Sequence, residues 1–195
     1  MAKYKGIDKY IKQLQKEITG MKAATDESMR VAVRVSHNNT VIRIFEAGGA
    51  SNGSEIGQYS SSPTLVGSSS FKTKRAANKI FGSKAKRAEQ EWRKVQGHNL
   101  VLLPGGYKEI RKLEGLETSF VNLRFTNNLQ SDFRSAIQKL KPNRYVTGTN
   151  RKENGEKREW LEEHFGKEIF APTEKESDIF VEVMNREMIK RFDAI

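Results

Sequence analysis

The side chains that most often carry out chemistry are few and scattered in this sequence. The three histidines, His37, His98 and His164, lie far apart, and none has a second ligand at a spacing typical of a metal site. His164 follows Glu162 and Glu163, a trio that invites a metal or acid–base interpretation. Adjacent helical residues do not share a face, so the three side chains would not converge. We therefore interpret His164 as a half-buried polar side chain.

The glycine-rich stretches and the serines also lack the motifs of phosphate-binding and nucleophilic sites. Gly48-Gly49 and Gly53 lack the Gly-Lys-Ser/Thr ending of a phosphate-binding loop, and Gly105-Gly106 lacks the GxGxxG pattern. No serine lies in a nucleophile-elbow sequence, and a chain with no cysteine has no thiolate. We predict no catalytic residue, no metal and no cofactor, hence a protein that is not an enzyme.

Charge is the strongest compositional signal. The formal net charge is +11 and the isoelectric point is about 9.8, so the surface should attract polyanions in a salt-dependent manner. The basic residues concentrate between 72 and 94. Such a run is usually a solvated helix face, and the alternative is contact with DNA phosphates or with an acidic partner. The candidate DNA- or acidic-partner-facing residues are Lys72, Lys74, Arg75, Lys79, Lys84, Lys86 and Arg87.

A Gly/Ser-rich segment at 47–71 precedes the basic run. Ordering so many turn-forming residues is entropically expensive without a partner. Yet the segment contains large apolar residues, which a pure linker would lack. We therefore weigh two interpretations: a flexible surface loop, and an arm that becomes ordered on a neighbouring subunit. The candidate inter-subunit arm residues are Ile56, Tyr59, Leu65, Val66 and Phe71.

Hydrophobic periodicity predicts a long helix at the N-terminus. Ile7, Ile11, Leu14, Ile18 and Met21 are spaced four, three, four and three residues apart, which gives one apolar stripe. The same phase continues more weakly to about residue 46. Residues 29–46 also fit a β-hairpin, because valines and isoleucines alternate there. We favour the continued helix.

The middle of the chain predicts a turn, a short helix and a strand. Pro104 with its two following glycines is typical of a turn, and Tyr107 to Leu113 should form a helix that Gly115 ends. Residues 120–125 alternate in polarity like a half-buried strand. Thr126 is placed to cap a further short helix.

The remaining elements complete an α+β fold. The fold class is a long N-terminal helix, a small mostly antiparallel sheet, a C-terminal helix and a long flexible central loop, in a single domain over 1–195. The sheet would combine 120–125 with two further strands joined by a Lys141-Pro142-Asn143 turn. The further expected elements are a helix over 85–95 ended by Gly97, strands over 134–140 and 144–149, a helix over 156–165, and a helix over 174–192 that opens with a Thr173…Glu176 capping box.

No segment resembles a membrane anchor or a secretory leader. No apolar run approaches the roughly 18 residues that span a bilayer. The first lysines are not followed by an apolar stretch, as a signal peptide requires. We therefore expect no membrane association.

Four stretches in a fixed order resemble a known family. They are RIFE at 43–46 leading to GQYS at 57–60, GGYKEIR at 105–111, VNLRFTNNLQSDF at 121–133, and EHFG at 163–166 followed by IFAPT at 169–173. Together they resemble the tail-completion or head–tail joining proteins of tailed bacteriophages, a group that overlaps with the virion-morphogenesis proteins. The 72–97 segment departs from that pattern, since it is longer and more basic.

The resemblance implies a function and a set of partners. It implies a structural protein of the phage neck that forms a homo-oligomeric ring, completes the tail or joins it to the head connector, and lets DNA pass through. Its partners would be itself, other neck, connector or tail proteins and, without sequence specificity, the genomic DNA. It would lie in the virion neck or tail after assembly in the host cytoplasm. The alternative function is that of a sequence-independent nucleic-acid-binding protein.

Overall fold

The structure is a computed structural model that describes residues 4–82, 92–95 and 97–194, with side chains from residue 7. The fold is α+β, with a long N-terminal helix, small antiparallel sheets and a C-terminal helix, as the sequence predicts. In chain order the elements are α1 (Tyr4–Phe45), β1 (Thr64–Val66), a 3-10 turn (Ser68–Ser70), α2 (Lys74–Phe81), β2 (Trp92–Val95), β3 (His98–Leu103), α3 (Gly106–Glu114), α4 (Asn128–Ser135), β4 (Ile137–Lys141), β5 (Arg144–Thr147), α5 (Lys152–Phe165) and α6 (Glu174–Phe192).

Helix α1 is continuous through the region that also fitted a hairpin. Its 42 residues make it about 63 Å long at about 1.5 Å per residue. The β-branched residues near position 33 stay helical because α6 packs along this half of α1, and Ala32, Val41 and Ile44 are all buried. Tertiary packing of this kind overrides a local preference for strands.

The described part of α1 before Ala23 extends beyond the body of the molecule. Near the far end of α6, Arg191 Nη2 lies 3.9 Å from Glu27 Oε1, and Asp26 pairs with Lys139 of β4. From there back to Ile7, the apolar stripe is uncovered. We call residues 4–22 the overhang; it is about 28 Å long.

Arg43 fastens the other end of α1 to the C-terminal part of the chain. Its guanidinium donates to the carbonyl oxygens of Gly49 (2.8 Å), Ile169 (3.1 Å) and Ala171 (2.7 Å), and to Glu176 Oε1 (2.9 Å). The Glu176 carboxylate also accepts from Thr173 N–H in the capping box of α6, confirming the box expected from the sequence. One ion pair therefore fixes where α6 begins.

Most of the buried apolar residues belong to two clusters. The first packs the end of α1 against α4 and the 169–170 segment, around Phe45, Phe133 and Phe170. The second packs α2 and α3 on a three-stranded antiparallel sheet of order β1-β3-β2, around Phe71, Ile80 and Val101. Strands β4 and β5 form a separate antiparallel hairpin on α1.

His37 lies buried at the edge of the first cluster. Its Nε2 is 2.7 Å from the Phe133 carbonyl oxygen, and its ring lies 4.7 Å from the Phe133 ring. Burial lowers the pKa of His37; the Phe133 carbonyl opposes that shift and the Arg158 guanidinium adds to it. In the folded protein the ring is therefore neutral down to a lower pH than in the unfolded chain.

We expect the free energy of unfolding to fall as pH drops below about 6.5, the ordinary pKa of histidine. Below that value the unfolded chain binds a proton at His37 more readily than the folded chain does. The contribution of neutral His37 to the free energy of unfolding is therefore complete above about pH 6.5 and is lost on acidification. Urea unfolding of wild type and His37→Gln at several pH values isolates the effect. The stability difference should shrink between pH 7.5 and 5; a constant difference contradicts the prediction.

Several sequence-based boundaries need correction. The strand expected over 120–125 is wrong: residues 121–124 have no strand partner, and Leu123 has φ 51°. Side chains take the backbone groups there, since Asn122 N–H donates to Tyr59 Oη and the Arg124 carbonyl accepts from Arg111. The short helix that follows was correct, but its N-cap is Asn127 rather than Thr126.

The helix expected over 85–95 is wrong for its last four residues. Residues 92–95 are β2, which pairs with β3 around a turn in which Gly97 has φ 83°; residues 83–91 lie outside the described part. The predicted strand over 134–140 begins only at Ile137, because Arg134 and Ser135 end α4. Strand β5 ends at Thr147 rather than at residue 149. Helix α5 begins at Lys152 rather than at residue 156.

The helix predicted after the Pro104 turn is confirmed, with Gly115 in the left-handed conformation at its end. Gly106 opens this helix with φ 59°, and a Cβ there would lie 2.2 Å from the Ser62 carbonyl oxygen. The Lys108 N–H donates to the Ser60 carbonyl at 2.9 Å. Only glycine permits this approach, which sets the 58–62 segment beside α3.

Candidate functional site

The segment predicted to be an inter-subunit arm is packed on its own chain. Ile56 is 1% exposed in the first cluster, and Val66 and Phe71 are buried in the second. Leu65 lies in β1 opposite Leu102, and Tyr59 is half-buried. Ile56, Val66 and Phe71 therefore serve as anchors to the body, because their apolar area is buried within the chain.

The predicted basic face is only partly within the described residues. Lys72, Lys74, Arg75 and Lys79 are exposed at and along α2, and Lys79 Nζ donates to the Leu113 carbonyl at 2.8 Å. Lys84, Lys86 and Arg87 lie outside the described part. The four described cations provide a solvent-facing positive edge, and Lys79 also lines an open surface pocket together with Lys108 and Lys112.

An aromatic groove opens where the two clusters meet. Its larger part has a volume of about 470 Å³ and its smaller part about 360 Å³, and both are lined by Leu123, Phe125, Trp160 and Leu161. Trp160 is 58% exposed. One wall is α5, and the other is the 121–127 segment with Tyr59 and Tyr107. We call this feature the aromatic groove.

Arg111 holds the second wall in place. Its side chain is buried, and it donates to the Glu117 carbonyl (2.8 Å), the Arg124 carbonyl (2.9 Å) and Asn122 Oδ1 (2.9 Å). The guanidinium also lies 4.0 Å from the centroid of the Tyr59 ring, a cation–π contact. The irregular backbone of 117–124 is therefore shaped by one cation.

Tyr59 completes the same network. Its hydroxyl donates to Asn122 Oδ1 at 3.0 Å and accepts from Asn122 N–H at 3.0 Å. Burial raises the pKa of Tyr59, so the hydroxyl stays protonated and keeps both bonds. The sequence singled out Tyr59 as a candidate arm residue. Its place in the wall of the groove depends instead on its contact with Asn122, 63 residues away in the sequence.

Asp132 sets the start of α5, which carries the other wall. Its carboxylate accepts from the backbone N–H of Asn150 (3.2 Å) and Arg151 (3.1 Å) and from Asn154 Nδ2 (2.8 Å). Burial alone would raise the pKa of Asp132, but these hydrogen bonds outweigh it and lower the pKa. A side chain from α4 thus fixes the backbone where α5 begins, at an N-cap residue, Arg151, whose own side chain makes no capping bond.

The groove is lined mostly by apolar and aromatic side chains. His164 is exposed and stacks on Trp160 with ring centroids 4.8 Å apart, so it is not the half-buried side chain expected from the sequence. Glu162, its neighbour in the trio considered above, points elsewhere and accepts the Ile169 and Phe170 N–H groups. The groups that line the groove can bind apolar side chains.

Neither a protein-family model nor a curated protein nor a solved structure matches this chain. Within the described ranges, no group of three or more His, Asp and Glu side chains could hold a metal ion. In the same ranges, no helix is both long enough and apolar enough to cross a bilayer.

The overhang is the second uncovered surface. Ile7, Ile11, Leu14, Ile18 and Met21 are between 39% and 56% exposed, and Tyr10 lies beside them at 62%. The sequence located the stripe correctly. Only the position where α6 ends shows that this part of α1 extends beyond the body. Contiguous apolar side chains left in water on a single chain mark an interaction surface.

Proposed function

We propose that this chain is a structural protein of a phage virion neck, which assembles with copies of itself into a ring that completes the tail or joins it to the head connector. The observation that carries the proposal is the overhang, a helical extension whose apolar stripe is left exposed among the described residues. A lone subunit gains nothing by ordering such a stripe in water, whereas a subunit of an assembly buries it. The four-part sequence resemblance supplies the neck assignment.

The charge distribution supports the same proposal. DNA that passes through a ring needs a positive surface that contacts its phosphates whatever the base sequence. Exposed lysines and arginines provide such a surface without reading the bases. Lys72, Lys74 and Arg75 form such a surface along the start of α2. The same cations could instead form ion pairs with an acidic surface of a neighbouring ring.

Light scattering tests the proposal. We expect the full chain, alone at high micromolar concentration or mixed with neck and tail proteins from the same source, to give one defined mass above that of a monomer. Negative-stain microscopy of that species should show closed rings. A chain that stays monomeric under all of these conditions, yet shifts duplex DNA at low salt, would contradict the ring and favour the nucleic-acid-binding alternative.

A further inference from the structure

Two uncovered apolar surfaces lie toward opposite ends of α1. The overhang occupies the N-terminal end. The aromatic groove adjoins the C-terminal end, where a Cβ on Gly48 would lie 2.7 Å from the carbonyl oxygen of Val121, a groove-lining residue. Each surface is apolar, and each lacks a partner within the described chain.

The two surfaces cannot meet within one chain. Met21 and Phe45 are 24 residues apart on the same helix, a separation of about 36 Å. The intervening part of α1 is packed against α6 and carries the buried residues Ala32 and Val41. Folding the overhang back onto the groove would break the helix and its packing. Only an overhang from another molecule can reach the groove.

The shapes of the two surfaces suit each other. A helix that binds in a groove presents anchors at i, i+3 or i+4, and i+7, which is the spacing of the stripe. Tyr10 widens the stripe to about 100° of the helix surface, as in a helix facing a core rather than in a narrow coiled-coil seam. The two parts of the groove, which share Trp160 and Leu161 in their lining, offer places for successive side chains of such a stripe.

The charges are also complementary. Residues 4–22 contain five lysines and two acidic residues. Helix α5 contains five glutamates and three basic residues, and Glu156, Trp160 and Glu163 fall at i, i+4 and i+7 on one side of it. The overhang is thus net positive and α5 net negative, although Lys157 of α5 lines the groove, whereas two overhangs would bring like charges together.

We propose that the overhang of one copy docks in the aromatic groove of the next copy, with its apolar stripe against Trp160, Leu123 and Phe125. The inference rests on the proposed function only in that the chain assembles with itself. Because the two surfaces differ, the contact is head-to-tail; repeated by rotation, it closes a ring. The occupant of the groove is therefore a second copy of this chain.

Two exposed positions test the contact without touching the core. Leu14→Asp places a carboxylate in the middle of the stripe, with the neighbouring Gln13→Asp as its matched control. Trp160→Glu places one at the centre of the groove, with Lys152→Glu, at the exposed start of α5, as its control. We expect Leu14→Asp and Trp160→Glu each to weaken self-association at least tenfold by analytical ultracentrifugation, and the controls to change it less than twofold.

Mixing the two impaired variants is the decisive measurement. Leu14→Asp retains an intact groove, and Trp160→Glu retains an intact overhang, so together they can form one good contact. We expect each to be monomeric alone and the mixture to give a 1:1 heterodimer that grows no further. A Trp160→Glu protein that assembles like wild type, or a mixture that remains monomeric, overturns the inference.

The outcomes separate this inference from the proposed function. If wild type forms rings that neither variant disturbs, the ring stands and the overhang–groove contact fails. If wild type is monomeric and the mixture is too, both fail. If the overhang instead carries the protein onto anionic vesicles, with Leu14→Asp abolishing that binding and Trp160→Glu leaving it intact, the occupant is a membrane and the inference is overturned.

A disulfide measurement guards against variants that fail to fold. The chain has no cysteine, so Leu14→Cys and Trp160→Cys each introduce the only thiol in the molecule. Under mild oxidation, a mixture of the two should give a disulfide-linked heterodimer in excess over either homodimer. Gln13→Cys, one residue away from the stripe centre, should give at least fivefold less. Equal yields for the two overhang positions count against the contact.

Discussion

Arg43→Ala is expected to lower the free energy of unfolding by about 3–5 kcal/mol, because it leaves a buried carboxylate without its partner. The side chains of Arg43 and Glu176 are only 13% and 6% exposed. The substitution also removes the donor to three backbone carbonyls, and these then have to find water or remain unpaired. Urea unfolding followed by circular dichroism measures the loss.

The chain offers a matched control for this prediction. Arg134 and Glu46 form an ion pair of 3.5 Å whose side chains are about half exposed, so Arg134→Ala should change stability by less than about 1 kcal/mol. Adding Glu176→Gln to the Arg43→Ala protein should recover part of the loss, since a neutral amide relieves the buried charge and can still accept from Thr173. Equal effects of the two arginine substitutions would show that burial is not the reason.

Arg111→Met is expected to reduce stability by about 2–4 kcal/mol and to abolish self-assembly even where the chain remains folded. Methionine keeps the apolar stem but removes the donors to Glu117, Arg124 and Asn122, leaving acceptors unsatisfied at about 1–3 kcal/mol for each that cannot reach water. The 117–124 segment would then relax, and the groove would lose one wall. Urea unfolding and light scattering report the two effects.

Lys112→Met separates the groove from a general loss of positive charge. Lys112 is the exposed neighbour of Arg111 on α3, so its replacement removes the same formal charge without touching the wall. We expect wild-type stability and assembly from it. Normal assembly by a folded Arg111→Met protein would mean that the groove wall does not contribute to the contact.

Local signals predicted α1, α3, α4 and α6 well but missed α2, and they predicted the sheets poorly. The Thr173…Glu176 box and the Gly115 and Gly166 termini are short-range devices that can be read from neighbouring residues. The stripe of α1 follows in the same way from its spacing. By contrast, β1 lies in a segment so rich in glycine and serine that it resembled a loop; its pairing with β3 depends on residues some 40 positions away.

The groove could not be predicted for a related reason. Residues 120–125 alternate like a strand, yet their backbone groups are taken by Tyr59 and Arg111, which are distant in sequence and have no strand signature. Trp160 and His164 are four residues apart and so share a face of α5, but which segment lies opposite them depends on the bonds of Asp132 at the start of that helix. Composition indicated a basic surface, and only the packing shows which apolar side chains are left exposed.

The continuity of α1 has a thermodynamic consequence for assembly. A binding segment that is disordered before it docks loses about 1–2 kcal/mol of backbone conformational entropy per residue when it orders. The overhang extends a helix whose other end is already fixed, so its 19 residues need no new nucleation and hold their geometry in advance. Subunits should therefore associate by near-rigid docking, at a rate set by diffusion and charge rather than by folding, and the direction in which one helix leaves the body sets the angle between neighbours.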